Sequence, residues 1–204
     1  MKKTKKKEDK PYRLNIACGQ TCKEGWVGID AVKCKGADPL RDSNGNIVQK
    51  FKDVDIAHDL NKYPWPFKDN SVDEIECFHY IEHIPHDIKG TRKDGFFCFF
   101  DEVYRILKPS AKALFVAPYY TSMRCWQDPT HLRAITDASF LYLDKNWRTI
   151  NRLDHYEVKC DFEFFIGHAV NNPQIMGRSE ETRNFAIRHY NNSVDDIHVT
   201  LKKR

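Results

Sequence analysis

An α/β fold with a mostly parallel central sheet is predicted by three features of the sequence. First, short runs of β-branched and other apolar residues alternate with polar, turn-rich stretches. Second, the runs 13–19 and 26–30 end at Gly19 and Asp30, as strands do where they reach a turn at a sheet edge. Third, residues 91–107 carry an apolar stripe with helical spacing between two of the strands. Parallel strands of this kind bring their carboxyl ends to one crevice, where open α/β sheets bind ligands.

One domain is expected from the length and composition. The 204 residues are 41% hydrophobic and 13% aromatic, enough for one sizeable core. We predict a disordered basic tail over 1–10 and a single domain over 11–204, because the lysine-rich start has no apolar partner. Such a tail could touch nucleic acid, but a solvated segment is the favoured interpretation, since a lysine run carries no recognition geometry of its own.

A cytoplasmic location is predicted from two further observations. The basic start is not followed by an apolar stretch, so neither a signal peptide nor a membrane span is expected. The seven cysteines are odd in number and scattered, which is typical of reduced thiols.

The connection between the first two predicted strands is unusually short. Residues 20–25 alone separate Gly19 from Trp26, whereas a parallel crossover normally takes a dozen residues and a helix. The first helix is therefore predicted to be shortened or missing. Residues 31–53 are polar, and Asn44-Gly45 favours a hairpin turn among them.

The remaining elements follow from periodicity and breakers. Alternation predicts a third strand over 54–58 and a fourth over 72–78, and the helix 91–107 ends at Pro109. Later elements are a strand over 113–118, a helix over 136–143, a strand over 158–166, a helix over 179–190 and a last strand over 197–202.

Four segments resemble the motifs of one family in the right order. Residues 13–19 with Asp30 resemble the first two motifs of class I S-adenosylmethionine (SAM) dependent methyltransferases, in the small type 11-like group whose loop reads L-x-x-G-C-G. Ala17 stands where that motif has its first glycine. Residues 79–83 resemble the S-x-x-x-E-H segment, and 101–109 resemble E-x-x-R-V-L-K-P-G-G, with Ser110 and Ala111 replacing the two glycines. Residues 128–133 match the family's D-P-T-H-x-R segment.

The resemblance implies a Rossmann-like class I methyltransferase fold with an antiparallel last strand, and SAM as cofactor. It implies that backbone of the first loop holds the methionine moiety, that Asp30 holds the ribose, and that the acid and apolar residue after the third strand hold the adenine. A turn-capping role for that acid stays open. The cofactor set so implied is Ala17, Cys18, Gly19, Asp30, Asp59, Leu60 and Phe78.

On the acceptor side, His131 is predicted to be the catalytic base, since an imidazole titrates near neutral pH. His79 and His83 are the second candidates for the base and are predicted to bind substrate, together with Asp128 and Arg133, which would orient the acceptor. The alternative is equally weighted: Asp128 caps a turn and His131 forms a hydrogen bond inside the fold.

Residues 79–83 also match H-x-x-E-H, the inverted zinc-peptidase motif. That motif needs a long helix, and Pro85 would end one almost at once. We therefore predict no metal ion and hold the zinc peptidase as a minor alternative.

The acceptor is predicted to be a hydroxyl of a sugar or another small metabolite, by analogy with the family. Neither a D/N-P-P-Y segment after the fourth strand nor a P-C motif is present, which disfavours a nucleic-acid base. Two further alternatives are a non-catalytic SAM-binding module and a nucleic-acid methyltransferase that uses the lysine tail. The expected partner is thus a small-molecule or glycan acceptor.

Overall fold

A computed structural model describes residues 10–204, so all but the last residue of the predicted basic tail lies outside the described residues. Its main feature is a seven-stranded sheet with the strand order β5-β2-β1-β6-β7-β9-β8. The bounds of the nine strands are β1 Arg13–Ile16, β2 Val27–Asp30, β3 Leu40–Arg41, β4 Ile47–Gln49, β5 Ile56–Ala57, β6 Val72–Phe78, β7 Leu107–Pro118, β8 Phe162–Ala169 and β9 Asp196–Lys203.

The directions of the strands confirm the predicted fold class. β5, β2, β1, β6 and β7 are parallel neighbours, and β9 runs antiparallel between β7 and β8. β3 and β4 form a separate hairpin that turns at Gly45, whose φ is 83°. The turn predicted at Asn44-Gly45 is therefore confirmed.

The strand register places the motif residues in one row. Ile16 is paired with both Ile29 and Cys77, so Ala17 follows beside Asp30 and Phe78. The order of the sheet reverses at β1, which lies between β2 and β6. Such a reversal opens a crevice at the carboxyl ends of parallel strands, where this class of fold binds its ligands.

The connection between β1 and β2 contains no helix, as its length predicts. Residues of this loop cover β2 instead: a side chain at Gly28 would place its Cβ only 2.8 Å from the Sγ atom of Cys18. Cys18, Cys22 and Val54 pack together as a small buried cluster beside the main core. Both cysteines of the first loop therefore contribute to packing beneath β2.

Helix α1, Gly95–Ile106, supplies the largest part of the core. Its apolar stripe is buried, with Phe99, Phe100 and Val103 fully inaccessible to solvent. The helix begins later than residue 91, because Asp94 caps it by accepting a hydrogen bond from Phe96 N at 2.7 Å. It ends at Ile106, and β7 begins immediately rather than at residue 113.

Among residues 10–204, the other α-helices lie after β7, and one of the three 3-10 helices lies before α1. They are α2 Met123–Gln127, α3 Lys145–Ile150, α4 Pro173–Met176 and α5 Glu180–His189, with 3-10 helices at Ile81–His83, Asp137–Leu143 and Asp154–Tyr156. The predicted strand 54–58 is shortened to β5, because only Ile56 and Ala57 pair with β2. The predicted strand 158–166 is shifted to β8, because pairing with β9 begins at Phe162 and continues to Ala169. Among the described residues, no helix has the length and apolar character needed to span a membrane.

Candidate cofactor and acceptor site

The turn after β1 is tied directly to the end of β2. Ala17 and Gly19 both have left-handed backbones, with φ of 52° and 48°. Ala17 N donates to Ile29 O at 2.8 Å, and Gly19 N donates to Asp30 Oδ2 at 2.9 Å. Nothing lies within 4 Å of the position that a Gly19 Cβ would occupy. The backbone of this turn is therefore fixed by Asp30 and open on its outer side.

Ala17 adopts the conformation that its counterpart glycine in the resembled motif would adopt freely. A left-handed backbone costs a residue with a Cβ atom about 1–2 kcal/mol, while glycine adds about 0.4–1 kcal/mol of entropy to the unfolded chain. We expect Ala17→Gly to raise the free energy of unfolding by about 0.5 kcal/mol, measured by urea denaturation. A loss of stability of 1 kcal/mol or more would contradict the idea that the turn is strained at this position.

Asp59, the acidic residue after β5, has the geometry of a turn cap, which is the alternative to adenine binding left open by the sequence. Asp59 Oδ1 accepts a hydrogen bond from Asn61 N at 3.1 Å, and Oδ2 lies 3.6 Å from Lys62 Nζ. Leu60 is only 3% exposed and belongs to the main core, where its carbonyl accepts from Trp65 Nε1 at 3.0 Å. A contact of either residue with adenine stays a prediction.

Lys23 is a feature of the crevice that the sequence does not reveal. Its Nζ atom lies 2.6 Å from Glu76 Oε2 and 5.0 Å from the centre of the Phe78 ring. Glu76 is buried and also accepts from Asn15 Nδ2 at 2.9 Å. A lysine from the short first loop therefore lies where β1 and β6 meet, with its charge paired.

Two distant segments meet on the acceptor side of the crevice. The 3-10 helix Ile81–His83 is joined to the 128–133 segment by hydrogen bonds from Leu132 N and Arg133 N to Glu82 O, at 2.8 and 3.3 Å. As a result, the rings of His83 and His131 lie edge to face with their centres 4.6 Å apart. The structure thus brings together two of the three predicted histidines in direct contact.

The carboxylate of Glu82 lies at the centre of this group. Its side chain is 1% exposed, and neither oxygen has a hydrogen-bond partner within residues 10–204. Oε1 lies 3.7 Å from His79 Nδ1 and 3.9 Å from His131 Nε2. The sequence analysis did not include Glu82 among the site residues, although Glu82 is part of both the S-x-x-x-E-H resemblance and the H-x-x-E-H match.

The two candidate bases differ in exposure. The side chain of His131 is 10% exposed, its Nδ1 atom lies 2.8 Å from Cys125 O, and its Nε2 atom faces Glu82. The side chain of His79 is 42% exposed, and the adjacent Glu82 carboxylate raises the pKa of its imidazole. His79 is therefore the histidine that a substrate can reach more easily, whereas the role of His131 as base stays a prediction.

Asp128 and Arg133 have structural partners. Asp128 Oδ1 accepts from Thr130 N at 2.8 Å and from Thr130 Oγ1 at 2.7 Å, which is the turn cap considered from the sequence. Arg133 Nε and Nη2 donate to Ile84 O at 3.0 and 2.9 Å, and Nη1 donates to Asp94 Oδ1 at 3.0 Å. Both residues hold the loop in place, and their contact with an acceptor stays a prediction.

The helix that the zinc-peptidase alternative requires is not formed in this segment. β6 runs as far as Phe78, His79 has a left-handed φ of 53°, and the 3-10 helix that follows has three residues. His79 and His83 are therefore not paired on one helical face, which is the arrangement that this alternative requires.

A cavity of about 1020 Å³ lies away from this chemistry. Its lining includes Asp69, Asp101 and Arg105, and none of the predicted cofactor residues. Arg105 is held there by ion pairs with Glu102 and Asp69. Because none of the residues predicted to bind the cofactor or the acceptor lines this cavity, we give more weight to the crevice at the carboxyl ends of the strands.

Comparison with known proteins places the fold. No family model matches the chain, and no curated protein matches it in sequence. The structure is similar to a SAM-dependent methyltransferase from Archaeoglobus fulgidus, at 17% identity and a TM-score of 0.57 over 95% of this chain and 86% of that one. It is also similar to a SAM-dependent methyltransferase from Methanosarcina mazei, at 14% identity and a TM-score of 0.50 over 96% and 93%.

A third similar structure is a chain from the complex between the Haloferax volcanii Trm112 methyltransferase activator and a methyltransferase. The identity is 13% and the TM-score is 0.51, over 97% of this chain and 84% of that one. At these identities the likeness defines the fold, which is that of class I SAM-dependent methyltransferases.

Proposed function

We propose that the protein is a SAM-dependent methyltransferase. The observation that carries this proposal is the hydrogen bond from Gly19 N to the Asp30 carboxylate, at the point where the strand order reverses. A ligand-binding crevice is expected at that point of a parallel sheet. The shared fold supports the proposal, and the motif resemblance names the cofactor.

The residues present suit SAM. The open outer side of Gly19 leaves room for the methionine moiety against the backbone of Ala17, Cys18 and Gly19. The Asp30 carboxylate accepts from Gly19 N and, at 3.4 Å, from Val32 N. A carboxylate has about four acceptor sites, so two more remain for ribose hydroxyls. Asp59, Leu60 and Phe78 complete the proposed cofactor set.

SAM supplies an electrophilic methyl group when it is bound. The chain then has to orient an acceptor, exclude water and take up a proton where the acceptor is a hydroxyl. His79 is placed to hold that proton because its ring is exposed beside the Glu82 carboxylate. The other residues proposed for the acceptor side are His131, His83, Asp128 and Arg133. These histidines favour a hydroxyl of a sugar or another small metabolite as acceptor, since an amine can react without a base.

The first experiment is a calorimetric titration of the protein with SAM and with S-adenosylhomocysteine. We expect one site with a micromolar dissociation constant for each. Release of S-adenosylhomocysteine would then be followed during a screen of hydroxylated sugars. Absence of binding to folded protein would overturn the proposal, and binding without turnover for any acceptor class would favour the non-catalytic SAM-binding module.

A further inference from the structure

We propose that Glu82, His83 and His131 form a binding site for one divalent transition-metal ion. Each residue offers one ligand atom, and these three atoms all lie within 4.8 Å of one another. They come from two segments that are held together by backbone hydrogen bonds to Glu82 O. The sequence predicts no metal ion because Pro85 would end the helix of the H-x-x-E-H motif. The pairing of Glu82 with His131 instead depends on a contact between distant parts of the chain.

The spacing of the atoms suits a shared ion. His131 Nε2 and Glu82 Oε1 lie 3.9 Å apart, too far for a hydrogen bond between them. Metal–nitrogen and metal–oxygen bonds of about 2.0–2.2 Å place two ligands of one ion roughly 3–4 Å apart, depending on the angle between them. One ion can therefore contact both atoms with little movement of either side chain.

Both imidazoles are oriented in the way that metal ligands require. His131 Nδ1 lies 2.8 Å from Cys125 O, a carbonyl that can only accept, so the Nδ1 proton is fixed there and Nε2 carries a lone pair. His83 Nδ1 lies 3.1 Å from Thr130 Oγ1 and 3.3 Å from Thr130 O. The Thr130 hydroxyl donates to Asp128, so His83 Nδ1 is the donor here too. Metal-binding histidines are typically held by such a bond from the second nitrogen.

The carboxylate is the independent observation that points to a ligand. Glu82 is 99% buried by side chain, and both of its oxygens lack a hydrogen-bond partner among residues 10–204. Burying a charged group without a partner is costly, so buried charges in proteins are normally paired with an opposite charge or bound to a metal ion. The imidazoles of His79 and His131 lie 3.7 and 3.9 Å from Glu82 Oε1, and an imidazole is not a permanent cation. Arg133 is engaged by Ile84 O and Asp94, so no permanent cation is directed at this carboxylate in the part of the chain described.

The ligand set defines the class of ion. Two imidazole nitrogens and one carboxylate oxygen suit Zn²⁺, Fe²⁺, Mn²⁺ or Co²⁺, whereas Mg²⁺ and Ca²⁺ prefer sites built from oxygen. Three protein ligands leave at least one coordination position open. Resting on the proposed function, we infer that an oxygen of the acceptor occupies this position, because His79, which follows β6 directly, lies beside the same carboxylate.

The test uses Co²⁺ as the probe, with untagged full-length protein freed of metal by a chelator. We expect one equivalent of Co²⁺ to bind, with visible absorption bands from nitrogen and oxygen ligands. Glu82→Gln and His131→Gln should each weaken this binding at least about tenfold. His189→Gln, which changes an exposed histidine on α5 outside the cluster, should leave it unchanged.

Stability separates loss of the site from loss of the fold. Without metal, Glu82→Gln should be at least as stable as the parent protein, because glutamine has nearly the same shape as glutamate and carries no charge to bury. Co²⁺ should raise the melting temperature of the parent protein and not that of the variant. Binding that is absent, or that survives in both cluster variants, would overturn the inference. SAM titration of the same samples tests the proposed function separately, since Asp30 and Gly19 lie outside the metal cluster.

Discussion

Replacing Asp30 with alanine is expected to weaken SAM binding at least about tenfold, which corresponds to about 1.4 kcal/mol. The variant loses the acceptors proposed for the ribose hydroxyls. It also leaves Gly19 N without its 2.9 Å partner, so the turn that faces the methionine moiety loses its support. Calorimetric titration with SAM measures the effect, and circular dichroism checks that the sheet is intact.

Two matched variants locate the cause. Asp30→Asn keeps one oxygen for Gly19 N and should lose less affinity than the alanine variant. Asp87→Ala removes an exposed carboxylate between the 3-10 helix Ile81–His83 and α1, at a position outside the predicted cofactor set, and should bind SAM like the parent protein. Equal affinity in the parent and Asp30→Ala would show that the cofactor is held elsewhere.

Gly95→Ala is expected to cost about 3 kcal/mol of unfolding free energy. Gly95 is the first residue of α1, and its N atom donates to His86 O at 2.9 Å. An added Cβ would overlap the backbone carbonyl of Pro85 and lie 3.0 Å from Ile84 Cγ2. Backbone cannot rotate away as a side chain can, so the helix and the segment that carries Glu82 would have to separate.

Urea denaturation of Gly95→Ala and Gly177→Ala tests this expectation. Gly177 follows α4, has an ordinary φ of −82° and has nothing within 4 Å of its Cβ position, so its substitution should be close to neutral. A similar stability for the two variants would mean that α1 can shift away from Pro85 without loss.

Local patterns in the sequence predicted most elements of the fold. Alternation located β6 at Val72–Phe78, and the stripe of Phe96, Phe99 and Phe100 located α1. The six residues between Gly19 and Trp26 were too few for a crossover helix, and none is present there. These predictions succeeded because periodicity and chain length act within a single element and its immediate neighbours.

Element ends were less predictable. The start of α1 depends on Asp94 acting as its cap, and the start of β7 depends on pairing of Leu107 with Val72. Polar residues such as Asp94 are common in loops as well as at caps, so the sequence alone does not distinguish the two.

The sequence by itself predicted the class of fold and the missing helix between β1 and β2, and its resemblance to a family supplied the residues proposed to bind SAM. Only the tertiary structure decided that the carboxylate of Glu82 lies between His79 and His131, and that Arg133 braces this loop instead of standing free. The reason is physical: strand and helix patterns are local, whereas His83 and Thr130 are 47 residues apart and meet through side-chain and backbone contacts that no spacing in the chain encodes.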